Sequence, residues 1–331
     1  MRKAAVVILN WNGRQLLEQF LPIVVRYSQE ATVYVADNAS DDDSVAFVEA
    51  NFPTVRIIQN PINTGFAKGY NDALRFVEEE IYVLLNSDVE VTENWLKPAL
   101  EIFAREPQTA VIQPKILSYR QKDYFEYAGA GGGFLDKYGY PFCRGRIFGN
   151  LEKDTGQYND TTEIFWASGA CFFIRKDVFR ELKCFDPSYF AHQEEIDLCW
   201  RAINHHYKIK YCGQSTVYHV GGATLNSQDP QKTYLNFRNS LFTLIKNLPS
   251  RKLVPVILSR LVLDGIAAMD FLIKGKFSHI WAILKAHLAF YFMFFHFYEK
   301  RTMFQQKKYF RVKSVVYAYF VRKKRTFSSL F

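Results

Sequence analysis

Carboxylate and amide side chains cluster at four places in the first part of the chain, where they could hold a polar ligand together. The clusters are Asn-Trp-Asn-Gly at 10–13, Asp-Asn-Ala-Ser at 37–40, an Asn- and Gly-containing segment at 60–71, and Asn-Ser-Asp at 86–88. A separate group of acids at 194–197 carries the residue type that can accept a proton from a hydroxyl group. Asn, Asp, Gly and Ser are also common in turns and helix caps, so each cluster taken alone has a structural explanation as well.

The elements that must position these clusters are predicted by the apolar pattern. Short branched and apolar runs, one before each cluster, predict buried strands at 4–9, 31–36, 55–59 and 81–85. Apolar residues at helical spacing predict helices around 16–24 and 67–77. Strands that alternate with helices predict βαβ units and a mostly parallel sheet. Because ligands bind beyond the carboxyl ends of the strands in such sheets, we expect the four clusters to line one crevice.

The length and composition limit the class of protein. With 331 residues, of which 49% are hydrophobic, the chain is long enough for one main domain and an extension. Its five cysteines are odd in number and show no Cys-x-x-Cys spacing, which favours a reducing compartment. The apolar run at 4–9 is too short for a secretory signal. We therefore expect a cytoplasmic protein.

The net charge of +9 is distributed unevenly. Residues 251–331 contain 16 Lys and Arg against three acids, a balance of +13, whereas residues 1–250 contain 26 against 30, a balance of −4. Such a basic segment predicts an acidic partner, either a nucleic acid or an anionic membrane. Its basic residues are interspersed with Phe and Tyr at helical spacing, and the acidic body would repel phosphate, so the membrane is the favoured partner.

The order and spacing of the polar clusters resemble glycosyltransferase family 2. The resemblance rests on Val-Val-Ile-Leu-Asn-Trp-Asn at 6–12, Val-Ala-Asp-Asn-Ala-Ser-Asp at 35–41, Asn-x-x-Asn-x-Gly-Phe-Ala-x-Gly-x-Asn at 60–71, and Leu-Leu-Asn-Ser-Asp at 84–88. The resemblance extends over residues 4 to about 240. Within the family, the chain is similar in particular to the rhamnosyltransferase-like group that decorates bacterial cell-surface polysaccharides. The resemblance implies a GT-A fold, which is an α/β fold with a Rossmann-like, mostly parallel central sheet flanked by helices. It also implies a nucleotide-sugar donor, inversion at the anomeric carbon, and a Mg²⁺ or Mn²⁺ ion.

The resemblance assigns the four clusters to the nucleotide-sugar. Asp88 takes the last position of the family's Asp-x-Asp motif and is expected to hold the metal, which stabilises the charge on the departing diphosphate. The first position is Asn86, a neutral residue, so a ribose or sugar hydroxyl is as good a partner for it as the metal. Asp37 is expected to accept hydrogen bonds from the nucleotide base. The implied donor-binding residues are Asn10, Asn12, Asp37, Asn38, Asn63, Gly65, Asn71, Asn86, Ser87 and Asp88.

An inverting transfer needs a base for the proton of the attacking hydroxyl, and the resemblance places it in the acidic group at 194–197. This segment resembles the family's Glu-Asp-x-Asp-Leu, with Glu195 in place of the Asp that usually acts as the base. The longer side chain could reach the same site from a slightly retracted backbone. Glu194 and Asp197 are the other candidate carboxylates. The helix dipole also favours acids in a first turn, and Asp197 stands four residues before Arg201, which is the spacing of a helical ion pair.

Three later residues complete the predicted site. His219 follows a short apolar run, at a place where related family members have a metal-ligating histidine. With Asp88 it would form a carboxylate and imidazole site that suits Mn²⁺ somewhat better than Mg²⁺. A single histidine at a strand end is also often a structural hydrogen-bonding residue. By resemblance, Trp166 and Ser168 face the acceptor sugar, although aromatic side chains also fill protein cores.

The resemblance and the charge distribution divide the chain near residue 248. Residues 1–248 are predicted to form the GT-A catalytic domain, with a nucleotide-sugar half at about 1–115 and an acceptor half at about 116–248. Residues 249–331 are predicted to form a basic amphipathic helical extension. Apolar residues at three- and four-residue spacing within 277–298 predict a helix that lies on the membrane surface without crossing it. The alternative is a helical domain that packs on the body or joins two copies in a homo-oligomer.

Together these features predict an inverting glycosyltransferase. It would move a sugar, by likeness rhamnose, from a nucleotide-diphosphate donor to a hydroxyl of a glycan or lipid-linked glycan in cell-surface polysaccharide synthesis. It would work in the cytoplasm, peripherally on the inner face of the cell membrane. The alternative enzyme is a nucleotidyltransferase, but the chain contains no Gly-rich phosphate loop of the GxGxxx(R/K) kind. A non-catalytic sugar-nucleotide-binding protein would not need Glu195, and a nucleic-acid partner is not expected.

Overall fold

A nine-stranded sheet and a smaller four-stranded sheet form the framework of the structure, a computed structural model that describes residues 3–221 and 229–331. The described strands are β1 (Ala4–Asn10), β2 (Ala31–Asp37), β3 (Arg56–Gln59), β4 (Ile81–Asn86), β5 (Val89–Val91), β6 (Thr109–Ser118), β7 (Gly133–Leu135), β8 (Pro141–Cys143), β9 (Arg146–Ile147), β10 (Asn150–Leu151), β11 (Thr161–Ile164), β12 (Cys171–Arg175) and β13 (Lys208–His219). The large sheet has the order β11-β13-β6-β12-β4-β1-β2-β3, and β5 pairs with β13.

The N-terminal half of this sheet is parallel, in the order β4-β1-β2-β3. The four predicted strands are confirmed, and three of them continue one residue further, to Asn10, Asp37 and Asn86. Asn10 is paired with Asp37, and the neighbouring Leu9 is paired with Asn86. The polar residues at the ends of these strands are therefore neighbours on one edge of the sheet, as predicted.

Helices cover the sheet and continue beyond it. The described α-helices are α1 (Arg14–Tyr27), α2 (Ser44–Asn51), α3 (Gly65–Ala73), α4 (Lys97–Arg105), α5 (Lys176–Glu181), α6 (Glu194–Asn204), α7 (Pro230–Asn247), α8 (Ser250–Ile273), α9 (Phe277–Phe292), α10 (Phe294–Glu299) and α11 (Val315–Phe320). The predicted helix at 67–77 ends earlier, at Ala73, and continues as a 3₁₀ turn. The hydroxyl of Tyr82 donates to the carbonyls of Leu74 and Val77 and thereby supplies partners for the tightened end.

The second half of the sheet is joined through the antiparallel strand β12, which lies between β4 and β6. Strand β13 runs parallel to β6, and its last residues pair with β5. This pairing puts His219 opposite Val89 and hence beside Asp88. The predicted α/β class with a Rossmann-like sheet, flanking helices and C-terminal helices is confirmed, with antiparallel strands added in the second half.

The predicted extension packs against the catalytic body. Helices α8 to α10 contribute five side chains to the same apolar cluster as the body, namely Leu253, Val256, Ile257, Phe290 and Phe297. The chain then returns to the body, where the hydroxyl of Tyr309 donates to the carbonyl of Lys137 at 2.7 Å. Among the described helices, none combines the length and apolar content that crossing a bilayer requires. The domain boundary near 248 stays a prediction, but the segment after it is not a detached unit.

Asp136 anchors this returning segment. Its fully buried carboxylate accepts from the N–H groups of Tyr138 and Tyr140, both at 2.9 Å, and from that of Val315 at 3.0 Å. We expect Asp136→Ala to lower the free energy of unfolding by roughly 2–4 kcal/mol, because three backbone donors lose their acceptor. Urea unfolding measures the change. Asp136→Asn retains one carbonyl oxygen and should lose less, so equal losses in the two variants would contradict this role.

Candidate active site

The carboxyl ends of β1 and β2 carry a network of buried polar side chains. Nδ2 of Asn10, which is fully buried, donates to Oδ1 of Asp37 at 3.1 Å and to Oγ of Ser40 at 3.2 Å. Ser40 in turn donates to Asp37 from its backbone N–H at 3.0 Å and from its hydroxyl at 2.6 Å. Asn12 has a positive φ of 50°, and its N–H donates to Oγ of Ser40 at 2.9 Å. These bonds fix the carboxylate of Asp37 at the edge where the predicted nucleotide site lies.

A second network shapes the adjoining wall. Nδ2 of Asn38 donates to Oδ1 of Asn63 at 2.8 Å and to the carbonyl of Gly65 at 3.2 Å. A Cβ added to Gly69 would lie 3.0 Å from the amide of Asn38. Gly65 has φ of +80°, and a Cβ there would lie 2.6 Å from Phe190. Both glycines are therefore required by close approach, and Gly65 brings the start of α3 against the segment that precedes α6.

Three other predicted donor-binding residues differ in their surroundings. Nδ2 of Asn71 donates to the carbonyl of Phe185 at 2.8 Å, and Oδ1 of Asn71 accepts from the N–H of Phe185 at 3.0 Å. Asn71 therefore ties α3 to the second half of the chain with both ends of its amide. Asn86 and Ser87 are half-buried at the end of β4, and within the described chain their side chains make no hydrogen bond. These two side chains are free to contact a ligand.

Asp88, His219 and Glu126 form a buried row. Nε2 of His219 lies 3.1 Å from Oδ1 of Asp88, and Nδ1 of His219 lies 3.1 Å from Oε2 of Glu126. The second contact is an ion pair whose angle is poor for a hydrogen bond. The backbone supports the row, because the N–H of Val220 donates to the carbonyl of Asp88 at 3.1 Å and the N–H of Ala128 donates to Glu126. The predicted pair of Asp88 and His219 is thus brought together, with a carboxylate behind the histidine.

The protonation of this row follows from its charges. Burial alone would lower the pKa of His219, but the carboxylates of Asp88 and Glu126 raise it to about 10. Burial would raise the pKa of Asp88, but the hydrogen bond and charge of His219 hold it below its usual range. Without another cation nearby, His219 is therefore a charged imidazolium between two carboxylates.

Asp88 and His219 of this row are spaced as two ligands of one divalent cation would be. Two adjacent ligands at about 2.1 Å from one ion lie about 3 Å apart, and Oδ1 of Asp88 and Nε2 of His219 are separated by 3.1 Å. A carboxylate at the other ring nitrogen commonly orients a metal-bound histidine, and Glu126 has this position. Among the described residues, no group of three or more His, Cys, Asp or Glu side chains could hold a metal. Asp88 and His219 are therefore candidate ligands for a cation but do not form a complete protein ligand set.

The first turn of α6 carries two acids with raised pKa values. Burial raises the pKa of Glu195 to about 7, and burial together with the charge of Glu195 raises that of Glu194 well above its usual value. Glu195 is partly exposed, whereas Glu194 is only 4% exposed. Within the described chain, Oε2 of each has no hydrogen-bond partner. Burial therefore favours the protonated form of both carboxyls, and a pKa of about 7 at Glu195 is what a general base near neutral pH needs.

The segment before α6 is strained and is held by one buried amide. Phe190, His192 and Gln193 have φ values of 64°, 69° and 73°, a region that is costly for residues other than glycine and is typical of functional sites. Asn239, in α7, is fully buried and donates from Nδ2 to three carbonyl oxygens within residues 189–192, at 3.0, 2.9 and 2.8 Å. The entry into the acidic turn is thus fixed from α7.

Asp197 lies one turn further along α6, in a different environment. It is fully buried and accepts from Nε of Arg201 at 2.8 Å, Nζ of Lys246 at 2.8 Å and Nδ2 of Asn247 at 2.9 Å. Burial would raise its pKa, but Arg201 and Lys246 hold it below the usual range. The predicted ion pair with Arg201 is confirmed. Because it is fully buried and two cations hold its pKa low, Asp197 is better suited to position α6 than to accept a substrate proton.

The two predicted acceptor residues are largely enclosed. Trp166 is 5% exposed, its Nε1 donates to the carbonyl of Phe134 at 3.0 Å, and its ring lies against Gly133, where a Cβ would come within 2.1 Å. Ser168 is 3% exposed, and its N–H donates to Oε1 of Gln113 at 2.9 Å. These contacts favour a role in shaping the segment before β12 over direct contact with an acceptor.

Glu126 and Asn239 were missed by the sequence-based prediction. Glu126 stands in a region of aromatic residues and glycines, and no local pattern separates it from a surface acid. Asn239 had a usable signal, because an Asn followed by the apolar helical run at 241–245 predicts a buried amide that needs partners. Both become recognisable through contacts with residues distant in sequence.

Comparison with known proteins identifies the family. The profile described as "Glycosyl transferase family 2" matches residues 5–183, more than half of the chain. The chain belongs to this family. It is 22% identical over 240 residues to the low-salt glycan biosynthesis hexosyltransferase Agl10 of Haloferax volcanii, covering 71% of the chain and 73% of that protein. It is 23% identical over 212 residues to the N-acetylglucosaminyl-diphospho-decaprenol L-rhamnosyltransferase of Mycobacterium tuberculosis, covering 58% of the chain and 68% of that protein.

Solved glycosyltransferase structures share the fold. GalNAc-T7 with UDP, GalNAc and Mn²⁺ superposes with a TM-score of 0.59 at 14% identity, over 76% of this chain and about half, 49%, of that chain. The mannosyltransferase PcManGT of Pyrobaculum calidifontis with GDP-Man and Mn²⁺ superposes with a TM-score of 0.53 at 12% identity, over 88% of this chain and 74% of that chain. At these identities the likeness concerns the fold alone. The family 2 enzyme is a glycosyltransferase with a GT-A fold, and it is consistent with the predicted rhamnosyltransferase-like group.

The raised pKa of Glu195 has a consequence for stability. Between the usual value of 4.5 and the folded value of about 7, the folded protein binds more protons at this carboxyl than the unfolded chain does. The Glu195 carboxyl therefore contributes stability to the folded protein that is fully present below pH 4.5 and is lost as pH rises through about 7. Glu195→Gln should raise the free energy of unfolding by on the order of 1–3 kcal/mol at pH 8 and little at pH 5.

Denaturant unfolding at the two pH values measures this difference. The exposed Glu49 provides a matched control, since Glu49→Gln should not change the free energy of unfolding at either pH. A loss of stability in Glu195→Gln at pH 8 would show that the carboxylate is stabilised by its surroundings and that its pKa is not raised.

Proposed function

We propose that the enzyme transfers a sugar with inversion from a nucleoside-diphosphate donor to an acceptor hydroxyl, with Glu195 as the general base. The observation that carries this proposal is the acidic first turn of α6, where Glu195 is partly exposed, its Oε2 has no hydrogen-bond partner within the described chain, and burial raises its pKa to about 7. The acceptor oxygen forms a bond to the anomeric carbon while the bond from that carbon to the diphosphate oxygen breaks. The hydroxyl proton passes to Glu195, and the bonding electrons leave with the diphosphate.

The donor is proposed to lie along the carboxyl edge of β1, β2 and β4. Asp37 would accept from the nucleotide base, because Asn10 and Ser40 fix its carboxylate there. Asn86 and Ser87 have polar side chains that could contact ribose, phosphate or sugar. Asn12, Asn38, Asn63 and Gly65 shape the wall of the site, whereas Asn71 supports it from within.

Asp88 and His219 are proposed to bind Mg²⁺ or Mn²⁺, and the mixed oxygen and nitrogen ligands favour Mn²⁺. When bound, the cation supplies positive charge that stabilises the diphosphate leaving group. Glu126 would accept a hydrogen bond from Nδ1–H of His219 and thereby present Nε2 for ligation. Two glycosyltransferases of the same fold contain Mn²⁺, which supports a metal in this enzyme.

The acceptor is proposed to be a glycan or lipid-linked glycan, and the transferred sugar rhamnose, in cell-surface polysaccharide synthesis. Support comes from the Mycobacterium tuberculosis relative, whose name specifies an L-rhamnosyltransferase acting on a diphospho-decaprenol acceptor. An acceptor of that kind is held in a membrane. We therefore propose that the enzyme works peripherally at the inner face of the cell membrane.

Substitution of the two adjacent glutamates tests the base. Glu195→Gln should fold and bind donor but lower kcat for sugar transfer by about 10²- to 10⁴-fold. Wild-type kcat should fall as pH drops below about 7, because Glu195 becomes protonated. Glu194→Gln should retain most activity, because burial already favours the neutral form of Glu194. The reverse result, with Glu194→Gln inactive and Glu195→Gln active, would refute the assignment.

Titration of Mn²⁺ tests the metal site without relying on turnover. By calorimetry, Asp88→Asn should abolish high-affinity binding, and Glu126→Gln should weaken it by roughly 10- to 100-fold because His219 loses its orienting carboxylate. Glu90→Gln is a matched control, since Glu90 pairs with Lys122 and lies outside the row. Unchanged affinity in Asp88→Asn would refute the site. Unchanged affinity in Glu126→Gln alone would refute only the role of Glu126.

A further inference from the structure

Helix α8 presents an apolar stripe to the outside. Six large side chains at three- and four-residue spacing are between 59% and 83% exposed, namely Val254, Leu258, Val262, Ile266, Met269 and Ile273. The charged residues in the middle of the helix, Arg260 and Asp264, face the other way, with exposures of 2% and 0%. Arg260 donates to Ser240 at 2.9 Å, and Asp264 accepts from Tyr140 at 3.2 Å. These two charges are therefore buried against the body, whereas Asp270, near the end of the helix, is exposed and pairs with Lys274 at 2.6 Å. The outer face is otherwise mainly apolar.

Helices α9 and α10 carry a second stripe of the same kind. Six large side chains are between 49% and 87% exposed, namely Phe277, Trp281, Leu284, Leu288, Phe292 and Phe295. The opposite face of α9 buries Ala282, Ile283, Ala286 and Phe290, and α9 packs against both α7 and α8. The apolar residues that the spacing groups within 277–298 lie on the outer face, and the inner face is apolar as well, so the amphipathic pattern stays a prediction. Since α7 also packs against α8, the two stripes belong to one helical layer whose inner side rests on the body.

This surface is exceptional within the molecule. Residues 254–298 contain fifteen exposed large apolar side chains and residues 299–331 contain seven, whereas residues 3–221 and 229–248 together contain six. Soluble monomers rarely expose a continuous apolar patch of this extent unless it binds a partner or a membrane. The stripes on α8 and α9 therefore mark an interaction surface.

The charge at the connection between the helices indicates the kind of partner. Ile273 and Phe277, which are 83% and 67% exposed, flank the sequence Lys274-Gly275-Lys276. Both lysines are exposed, as is Lys285 on α9. The whole segment 251–331 has a charge balance of +13. An apolar surface edged by lysines matches an anionic lipid bilayer, whereas a second copy would bring two positive segments together.

We infer that the outer face of α8 and α9 lies in the interfacial region of a bilayer that contains anionic lipid. The apolar side chains enter the boundary between headgroups and acyl chains, and the lysines extend to the phosphates. This inference deepens the proposed function, because it identifies the surface that brings the enzyme to a lipid-linked acceptor. Packed elements connect this surface to the proposed base, since α9 packs on α7 and Asn239 of α7 holds the segment before Glu195.

Sedimentation with liposomes tests the surface directly. The full chain should bind vesicles of phosphatidylglycerol and phosphatidylcholine, with affinity that falls as salt rises. Ile273→Glu combined with Phe277→Glu should weaken binding at least tenfold, and Lys274→Glu combined with Lys276→Glu should remove the preference for anionic lipid. Phe76→Glu, at a body residue that is 70% exposed, is the matched control and should bind as wild type. Wild-type binding by both double variants would overturn the inference.

Trp281 allows a second measurement that does not depend on charge substitutions. It is 56% exposed on α9, and the other exposed tryptophan, Trp11, lies at the donor edge. Brominated phospholipids should quench the fluorescence of the full chain in liposomes. Trp281→Phe should abolish the quenching, and Trp11→Phe should leave it unchanged. Quenching that persists in Trp281→Phe would place another surface on the lipid.

These outcomes are separable from the proposed function. Transfer to a water-soluble acceptor without liposome binding would refute the membrane surface alone. Liposome binding without transfer would leave the surface intact and refute the catalytic proposal. If the full chain forms dimers in lipid-free solution and Ile273→Glu combined with Phe277→Glu dissociates them, the face is an interface between two copies and the lipid inference is wrong.

Discussion

The buried carboxylate of Asp197 holds together the parts of the enzyme on which the active site depends. It binds Arg201 within α6 and Lys246 of α7, and Lys246 also contacts Asp186 at 3.0 Å. Asp186 is in turn bound by Lys300, at the end of α10, at 2.9 Å. Helices α6 and α7 and the C-terminal helices thus share one ion network. Removing one partner from such a network leaves an uncompensated buried charge, which commonly costs 3–5 kcal/mol.

The same helix shows how surroundings divide identical chemical groups into different roles. A first helical turn favours anionic carboxylates through the helix dipole, and that rule alone would lower all three pKa values in α6. The pKa of Asp197 is indeed lowered, because the cations of Arg201 and Lys246 outweigh the effect of burial. For Glu194 and Glu195 burial outweighs the turn, since neither carboxyl has a nearby cation among its main influences. Burial thus raises the pKa of both carboxyls, and Glu195, the more exposed of the two, is the one proposed to exchange a proton with a substrate.

The sequence predicted those parts of the fold and site that depend on local pattern. The four parallel strands, their polar ends, the start of α6 and the outer pattern of α9 all follow from spacing within a short stretch. The order of β12 between β4 and β6 was not predictable in this way, because antiparallel insertion leaves no periodic signal. Glu126 and the roles of Asn71 and Asn239 depend on partners far along the chain. Trp166 and Ser168 were predicted to contact the acceptor sugar, but both are buried, because residue type alone does not distinguish a side chain that packs in the interior from one that binds a sugar.

Arg260 and Asp264 show that the C-terminal helices have an inner side that is part of the protein core and an outer side that forms a surface. In the sequence they interrupt an apolar run, and in the structure they are buried against Ser240 and Tyr140. The inner sides of α8 to α10 complete the apolar cluster of the body, so deletion of residues 249–331 would expose that cluster to water. Loss of activity after such a deletion would therefore report damage to the catalytic body. Only substitutions on the outer face, which contribute nothing to this core, can separate membrane contact from folding.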